Sequence, residues 1–347
     1  MNQGPETAFE QTHPLATGIG SLPGDDPLEA ARSVLGLLAA EPGLPYLPEL
    51  PSRGPGADLT GRGAAFLVDL PVDLQPSGWR LVDRPGRDLR RAQSFLSHDT
   101  DALAEAADGY QGRLKLQVAG PWTLGATVWL PRGDRLVTDP GATRDLVESL
   151  AEGLARHIED VRRLLPGAEV VIQLDEPALP AVLAGRLPTM SGFGRLRAVE
   201  PSVAQDALTM LVRRAHQAGA VATVLHCCDA DVPIALLRGT GVTAIALDTT
   251  LLGDRGWESV AFAVEGGTQL WAGLVPATGE PAALPAVSDL VEQLRAPWRR
   301  VGLELELLAG VTVTPSCGMT GASPEGARQT TVRTMEVARE LAEVSAS

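Results

Sequence analysis

Short apolar runs recur along the chain, and each ends in Gly, Pro or a functional polar residue. They are PLATGIGSLPG (14–24), LPYLPELPSRG (44–54), RLKLQVAGPW (113–122) and EVVIQLDEPA (169–178). AVATVLHCCD (220–229), GVTAIALDTT (241–250), QLWAGLVPAT (269–278) and GVTVTPSCGM (310–319) follow. Most are too continuous for half-exposed strands and are rich in β-branched residues, which is how fully buried parallel strands read. Most gaps carry helical patterns. DPLEAARSVLGLLAA (26–40) opens with Asp then Pro, and the stretch 141–165 is long and amphipathic. The pattern at 203–219 closes on Gly, and that at 323–344 opens with Ser then Pro. Helix after strand, eight times over, predicts an α/β fold, a (β/α)8 TIM barrel.

Segment 55–112 breaks the rhythm. It mixes GPGADLTGRG with PVDLQPSGW and DRPGRD, and is expected to be an elaboration between strands 2 and 3 with a helix near 99–108. No linker divides the chain, so 1–347 reads as one catalytic barrel with an N-terminal arm at 1–13. An open doubly wound sheet is the alternative, weakened because no Gly-rich dinucleotide fingerprint follows the first strand.

Composition narrows the function. The 347 residues are 44% apolar, 21% charged and 4% aromatic, with a net charge of −14. That charge argues against a nucleic-acid partner, which needs clustered Lys and Arg, and against an anionic membrane. No run approaches a membrane-spanning length. MNQGPETAFEQTHPLATG has no basic stretch followed by an apolar one, so no secretory signal is expected. Three cysteines make no disulfide framework, and a cytoplasmic setting is the expectation.

Catalytic groups of such a barrel gather at the C-terminal strand ends. Those ends carry Ser21, Glu49, Asp175, Glu176, His226, Cys227, Cys228, Asp248 and Cys317, which include every cysteine of the chain. Two thiolates, one imidazole and one carboxylate match the ligand set of tetrahedral Zn²⁺, so His226, Cys228, Asp248 and Cys317 form a candidate metal site. His226 and Cys228 lie two apart and share a face, which turns Cys227 toward packing. A strained vicinal Cys227–Cys228 disulfide is the competing use. Asp175 and Glu176 are candidate catalytic carboxylates: one should point into the barrel mouth, the other toward a neighbouring loop. Such carboxylates, Glu49 included, serve as general acids or bases or hold a substrate ammonium. His13, His98, His157 and His216 read as packed or solvated histidines. Trp122 and Trp129 offer a stacking surface for a flat donor, or packing.

GIGSLP, QVAGPWTL, IQLDEPAL, VLHCCDAD, AIALDTT and VTPSCGM occur in the order seen in cobalamin-independent methionine synthase, and the chain resembles the C-terminal catalytic barrel of that family over essentially its whole length. The resemblance implies zinc held at His226, Cys228, Asp248 and Cys317, with Asp248 standing where the family has glutamate. It also implies methyl transfer to the sulfur of homocysteine to give methionine. Ser21 and Asp175 are implied to hold the amino-acid end of the acceptor, with Glu49 as a second ammonium ligand. The family's histidine after strand 7, which helps protonate the folate leaving group, has no counterpart in LWAGLVPATGEP (270–281). A donor needing no such acid, a methyl-corrinoid protein or a sulfonium, fits better than methyltetrahydrofolate. Two rivals remain: a zinc- or thiol-binding barrel without methyl transfer, and a uroporphyrinogen-decarboxylase-like barrel. The latter needs an Arg cluster that the strand ends do not supply.

Overall fold

The computed structural model describes residues 11–277 and 284–346. Most of the expected N-terminal arm and the loop after the seventh apolar run lie outside them. The strands are β1 (Leu15–Ala16), β2 (Val72–Gln75), β3 (Gly78–Leu81), β4 (Gly112–Ala119), β5 (Ala168–Asp175), β6 (Ala222–Cys227), β7 (Ala244–Asp248), β8 (Gln269–Val275) and β9 (Thr312–Pro315). All but β2 and β3 join one curled parallel sheet of seven strands in the order β1-β9-β8-β7-β6-β5-β4. Each of these strands overlaps one of the apolar runs.

The second run, 44–54, is the exception, and its prolines explain why. Pro45 and Pro48 have no N–H to donate, so a regular ladder cannot form there. The segment instead bridges the two edge strands in single steps. Ala16 N–H donates to Pro42 O and Leu44 N–H to Ala16 O, both at 2.8 Å. On the other side, Lys115 N–H donates to Pro45 O at 2.9 Å and Leu47 N–H to Lys115 O at 3.0 Å. This α/β fold, with its curled parallel sheet, is consistent with a TIM-barrel-like architecture.

Helices alternate with these strands: α1 (Pro27–Leu38), α2 (Leu59–Ala65), α3 (Arg87–Ala106), α4 (Pro121–Thr127), α5 (Pro140–Leu164) and α6 (Leu179–Leu183). After these come α7 (Pro201–Gln217), α8 (Ile234–Gly239), α9 (Asp254–Glu265), α10 (Val287–Arg300) and α11 (Pro324–Ser345). The Asp-Pro start at 26 and the Ser-Pro start at 323 act as read, with Asp26 and Ser323 accepting from the first free N–H groups of α1 and α11. Asp139, just before the stretch read as helical, does the same for α5. No described helix is long and apolar enough to cross a membrane.

Segment 55–112 holds α2, the antiparallel hairpin β2–β3 and the twenty-residue α3. The helix expected near 99–108 is therefore the C-terminal half of a longer one. Its N-terminal half, RDLRRAQSF, is polar and buries Leu89 and Ala92, too thin an apolar stripe to stand out by period.

Inside the curl, the lower layer is apolar: Leu15, Leu44, Val171, Ala222, Val224, Ala244, Ala246 and Trp271 pack together. The alanines leave the room that the Trp271 indole fills. Strand alternation then carries the inward face upward into polar residues, Gln173 and Asp175 on β5 and His226 on β6. Asp175 and His226 are register partners on adjacent strands. That pairing sets their side chains side by side at the strand ends.

Candidate active site

A cavity of about 230 Å³ opens at these ends, and its lining includes Ser21, Glu49, Asp175, His226, Cys228 and Cys317. Six of the eight predicted site residues thus meet in one place.

His226 is buried, and its ring is held from one side only. Nδ1 lies 2.7 Å from Asp175 Oδ1, while Nε2 is buried with no hydrogen-bond partner. A carboxylate accepting from Nδ1–H fixes the tautomer that leaves Nε2 as a free lone pair, the arrangement behind a metal-ligating imidazole. Cys228 Sγ and Cys317 Sγ stand 3.5 Å apart. A proton shared from Cys228 holds the Cys317 thiol down to about 6, and the same contact pushes Cys228 up. Cys227 faces the other way, fully buried, and burial pushes its thiol up to about 12. Among the described residues no three His, Cys, Asp or Glu side chains are already gathered as a metal-holding group.

Gly318, the residue after Cys317, lies close against Ser21 because it has no side chain. A Cβ at 318 would lie 2.1 Å from Ser21 Oγ. Met319 N–H then donates to Ser21 O at 2.9 Å, tying the β9 end to the β1 turn.

Two predicted residues lie elsewhere. Asp248 ends β7, but its Oδ1 accepts from Thr250 N–H at 3.0 Å and from Thr250 Oγ1 at 2.6 Å. That oxygen caps the turn that follows, and the residue does not line the cavity. Glu176, adjacent to Asp175, points outward and is completely buried. Its carboxylate accepts from Trp122 N–H (3.0 Å), Thr123 N–H (2.8 Å) and Thr123 Oγ1 (2.8 Å). Burial pushes it up to about 8, against the pull of those three bonds. Gly120 is the matching gap, since a Cβ there would stand 2.3 Å from the Glu176 carboxylate. The pair Asp175–Glu176 therefore divides into one pocket residue and one anchor for the loop after β4.

The tryptophans of that loop are packing. Trp122 is buried with Nε1 donating to Ala204 O, and the Trp129 ring is covered by the Arg80 and Arg135 guanidinium groups. His157 is packed edge-on against Phe66, and burial lowers it to about 3.

Several polar residues around the cavity carry no strand-end signature. Lys115, in the middle of β4, is wholly buried and donates to Ile19 O at 2.8 Å and Gln173 Oε1 at 2.7 Å. Burial pulls it down to about 7, while Asp175 and Glu49 hold it up. Its lone appearance inside LKLQV is the one trace in the sequence. Glu49 pairs through Oε1 with Arg62 Nε at 3.1 Å. Arg62 also contacts Asp99 at 2.6 Å, and Arg53 grips Asp99 through two bonds of 2.7 and 2.8 Å. Burial pushes Glu49 up to about 7; Arg62 and Lys115 lower it, Asp175 and Asp99 raise it. Arg62 and Asp99 belong to α2 and α3, where nothing in the local sequence distinguishes them from surface charges.

The catalytic-domain family of cobalamin-independent synthases matches residues 14–343. The chain belongs to that family. It is a methyltransferase of the cobalamin-independent methionine synthase type. Solved structures share the fold at low identity. A B12-independent methionine synthase from Shewanella sp. W3-18-1, in complex with selenomethionine, is 14% identical with a TM-score of 0.58, covering 95% of this chain and 98% of that one. A Listeria monocytogenes protein described as a putative vitamin-B12 independent methionine synthase is 13% identical, with a TM-score of 0.53 over 96% and 99% of the two chains. A methyltransferase from Methanosarcina mazei gives 13% and 0.53 over 95% and 94%. No curated protein sequence matches the chain.

Proposed function

We propose that the protein is a zinc-dependent S-methyltransferase acting on a small amino-acid thiol, homocysteine, to give methionine. The observation that carries the reading is His226: a buried imidazole, locked through Nδ1 by Asp175, with Nε2 unpartnered beside two thiols. His226 Nε2, Cys228 Sγ and Cys317 Sγ would hold the metal. Three protein ligands and one open position is the composition of a catalytic zinc site. Bound there, zinc supplies deprotonation and orientation of an incoming thiol, whose free pKa near ~8.5 leaves little thiolate at neutral pH.

The chain's own residues supply the rest. Asp175 is engaged through Oδ1, by His226 and by Gln173 Nε2 at 2.7 Å, and Glu49 through Oε1. Among the described residues the second oxygen of each has no partner, and these two oxygens suit a substrate ammonium. Ser21 borders the same space for the carboxylate end. The cavity matches a small acceptor in size, so the donor brings its methyl group from the open side. With Trp122 and Trp129 both occupied in packing, neither offers a flat platform, which favours a methyl-corrinoid protein or a sulfonium over a folate. In this reading the closed (β/α)8 barrel takes 42–49 as its second strand and 55–112 as the insert behind it, in one catalytic domain.

The test is zinc content by elemental mass spectrometry together with methyl transfer to homocysteine from methylcobalamin and from S-methylmethionine. About one zinc per chain is expected, lost in Cys228→Ser and Cys317→Ser and kept in Cys227→Ser. Zinc with thiol binding but no turnover would favour the binding-protein rival. No zinc before or after reconstitution would remove the reading altogether.

A further inference from the structure

The backbone of Ile19, which lines the cavity, receives a buried amine that no step above uses. Lys115 Nζ makes two hydrogen bonds, to Ile19 O and to Gln173 Oε1, and sits 5.0 Å from the centre of the Tyr46 ring. In either protonation state it carries the two hydrogens those contacts use. Gln173 is also wholly buried, and its oxygen faces Lys115, so its NH₂ must face the opposite way. There Nε2 donates to Ile19 O at 2.8 Å and to Asp175 Oδ1 at 2.7 Å. The same Oδ1 meets His226 Nδ1. The order of contacts is therefore Lys115, Gln173, Asp175, His226, with every donor matched to an acceptor.

We propose that Lys115 is a positioning residue: through Gln173 it fixes the Asp175 carboxylate, and through Asp175 the orientation of His226. Three features of the geometry argue for more than filling. First, Asp175 has two tasks, orienting His226 through Oδ1 and presenting Oδ2 to the acceptor, and both depend on the carboxylate not rotating. Gln173 supplies the contact that stops rotation, and Lys115 supplies the side-chain donor at the far end of that amide. Second, Ile19 O receives both Lys115 and Gln173, so the β1 turn carrying Ser21 is latched to β4 and β5 at one atom. Third, Lys115 is electrostatically tied to two buried carboxylates, Asp175 and Glu49, which hold up its affinity for a proton against burial. An apolar residue at 115 would leave the Gln173 oxygen buried without a partner, and the amide would turn in search of one.

The inference rests on the zinc reading for its functional consequence, but not for its structural part. Lys115→Met keeps the volume and removes a desolvated amine, so the variant should fold; near-ultraviolet circular dichroism checks this. Zinc affinity is then measured by competition with a chromophoric chelator in the parent, Lys115→Met, Gln173→Met and the double variant. Loss of such supporting contacts weakens metal binding by roughly 10–100-fold, and each single variant should fall in that range. Because the two residues act in series, the double variant should be no weaker than the weaker single one. Additive losses, or parent-like affinity in Lys115→Met, would overturn the proposal. If the parent itself binds no zinc, the functional reading fails instead, and the positioning role is read on the metal-free protein. There the Gln173 side-chain NH₂ protons should exchange slowly by NMR in the parent and at least tenfold faster in Lys115→Met; equal rates would refute the role.

Discussion

Replacing Arg62 by Met should destabilise the protein in a pH-dependent way. Arg62 bridges Glu49 and Asp99, and all three are buried. Without it Asp99 keeps both bonds to Arg53, whereas Glu49 keeps no paired cation in contact. Breaking a buried pair costs about 3–5 kcal/mol, and Glu49 feels that loss only while ionised. Its carboxyl stands at about 7 in the parent, raised by burial from 4.5, with Arg62 the largest opposing influence. Removing Arg62 therefore moves it above 7. The folded state then binds a proton that the unfolded state has already released, so stability falls as pH rises between the unfolded and folded values. In the parent this decline ends near pH 7; in the variant it continues, at about 1.4 kcal/mol per pH unit. The gap between the two proteins, measured by urea unfolding, should thus widen by about that amount from pH 7 to pH 8. Glu49→Gln in both backgrounds should abolish the widening. A loss equal at pH 6 and pH 8, or a widening that survives Glu49→Gln, would refute the account.

Asp248→Asn should leave zinc content unchanged, because Thr250 already takes its Oδ1; loss of metal would place Asp248 among the ligands. Glu176→Gln should lower stability by about 1–3 kcal/mol in chemical denaturation, since one of the converging donors would meet an NH₂ group, yet leave zinc stoichiometry intact. Metal loss in that variant would show that the carboxylate acts on the site and not only on the loop after β4.

The strand ends were legible because a buried parallel strand writes itself as an apolar run and stops where chemistry begins. Strand alternation also separated Cys228 from Cys227 and split Asp175 from Glu176, although it did not say which carboxylate faced inward. Register decides that, through the pairing of Asp175 with His226, and register between distant strands leaves no local mark. The second run was obscured by its own prolines, which keep the segment in place while denying it a ladder. Lys115 and Gln173 sit on the inward face among apolar neighbours, where composition predicts Val or Ile. Arg62 and Asp99 are buried only because α2 and α3 fold over them. Asp248 stands at the expected strand end, with its Oδ1 held by a near neighbour, Thr250.

The pairing of β1 with β9 has a consequence for how the protein is made. Leu15 meets Thr312 in register, and Ser21 meets Gly318 across a gap that only glycine allows. Contacts between the two ends of a chain are the slowest to form, since the intervening segment must be ordered first. During synthesis β1 must wait, unpaired along that edge, until Cys317 and the strand before it have left the ribosome. The first walls of the cavity to be translated are therefore among the last to acquire their final neighbours. A nascent chain halted before β9 would carry His226 and Cys228 in an unfinished sheet, without the second thiol.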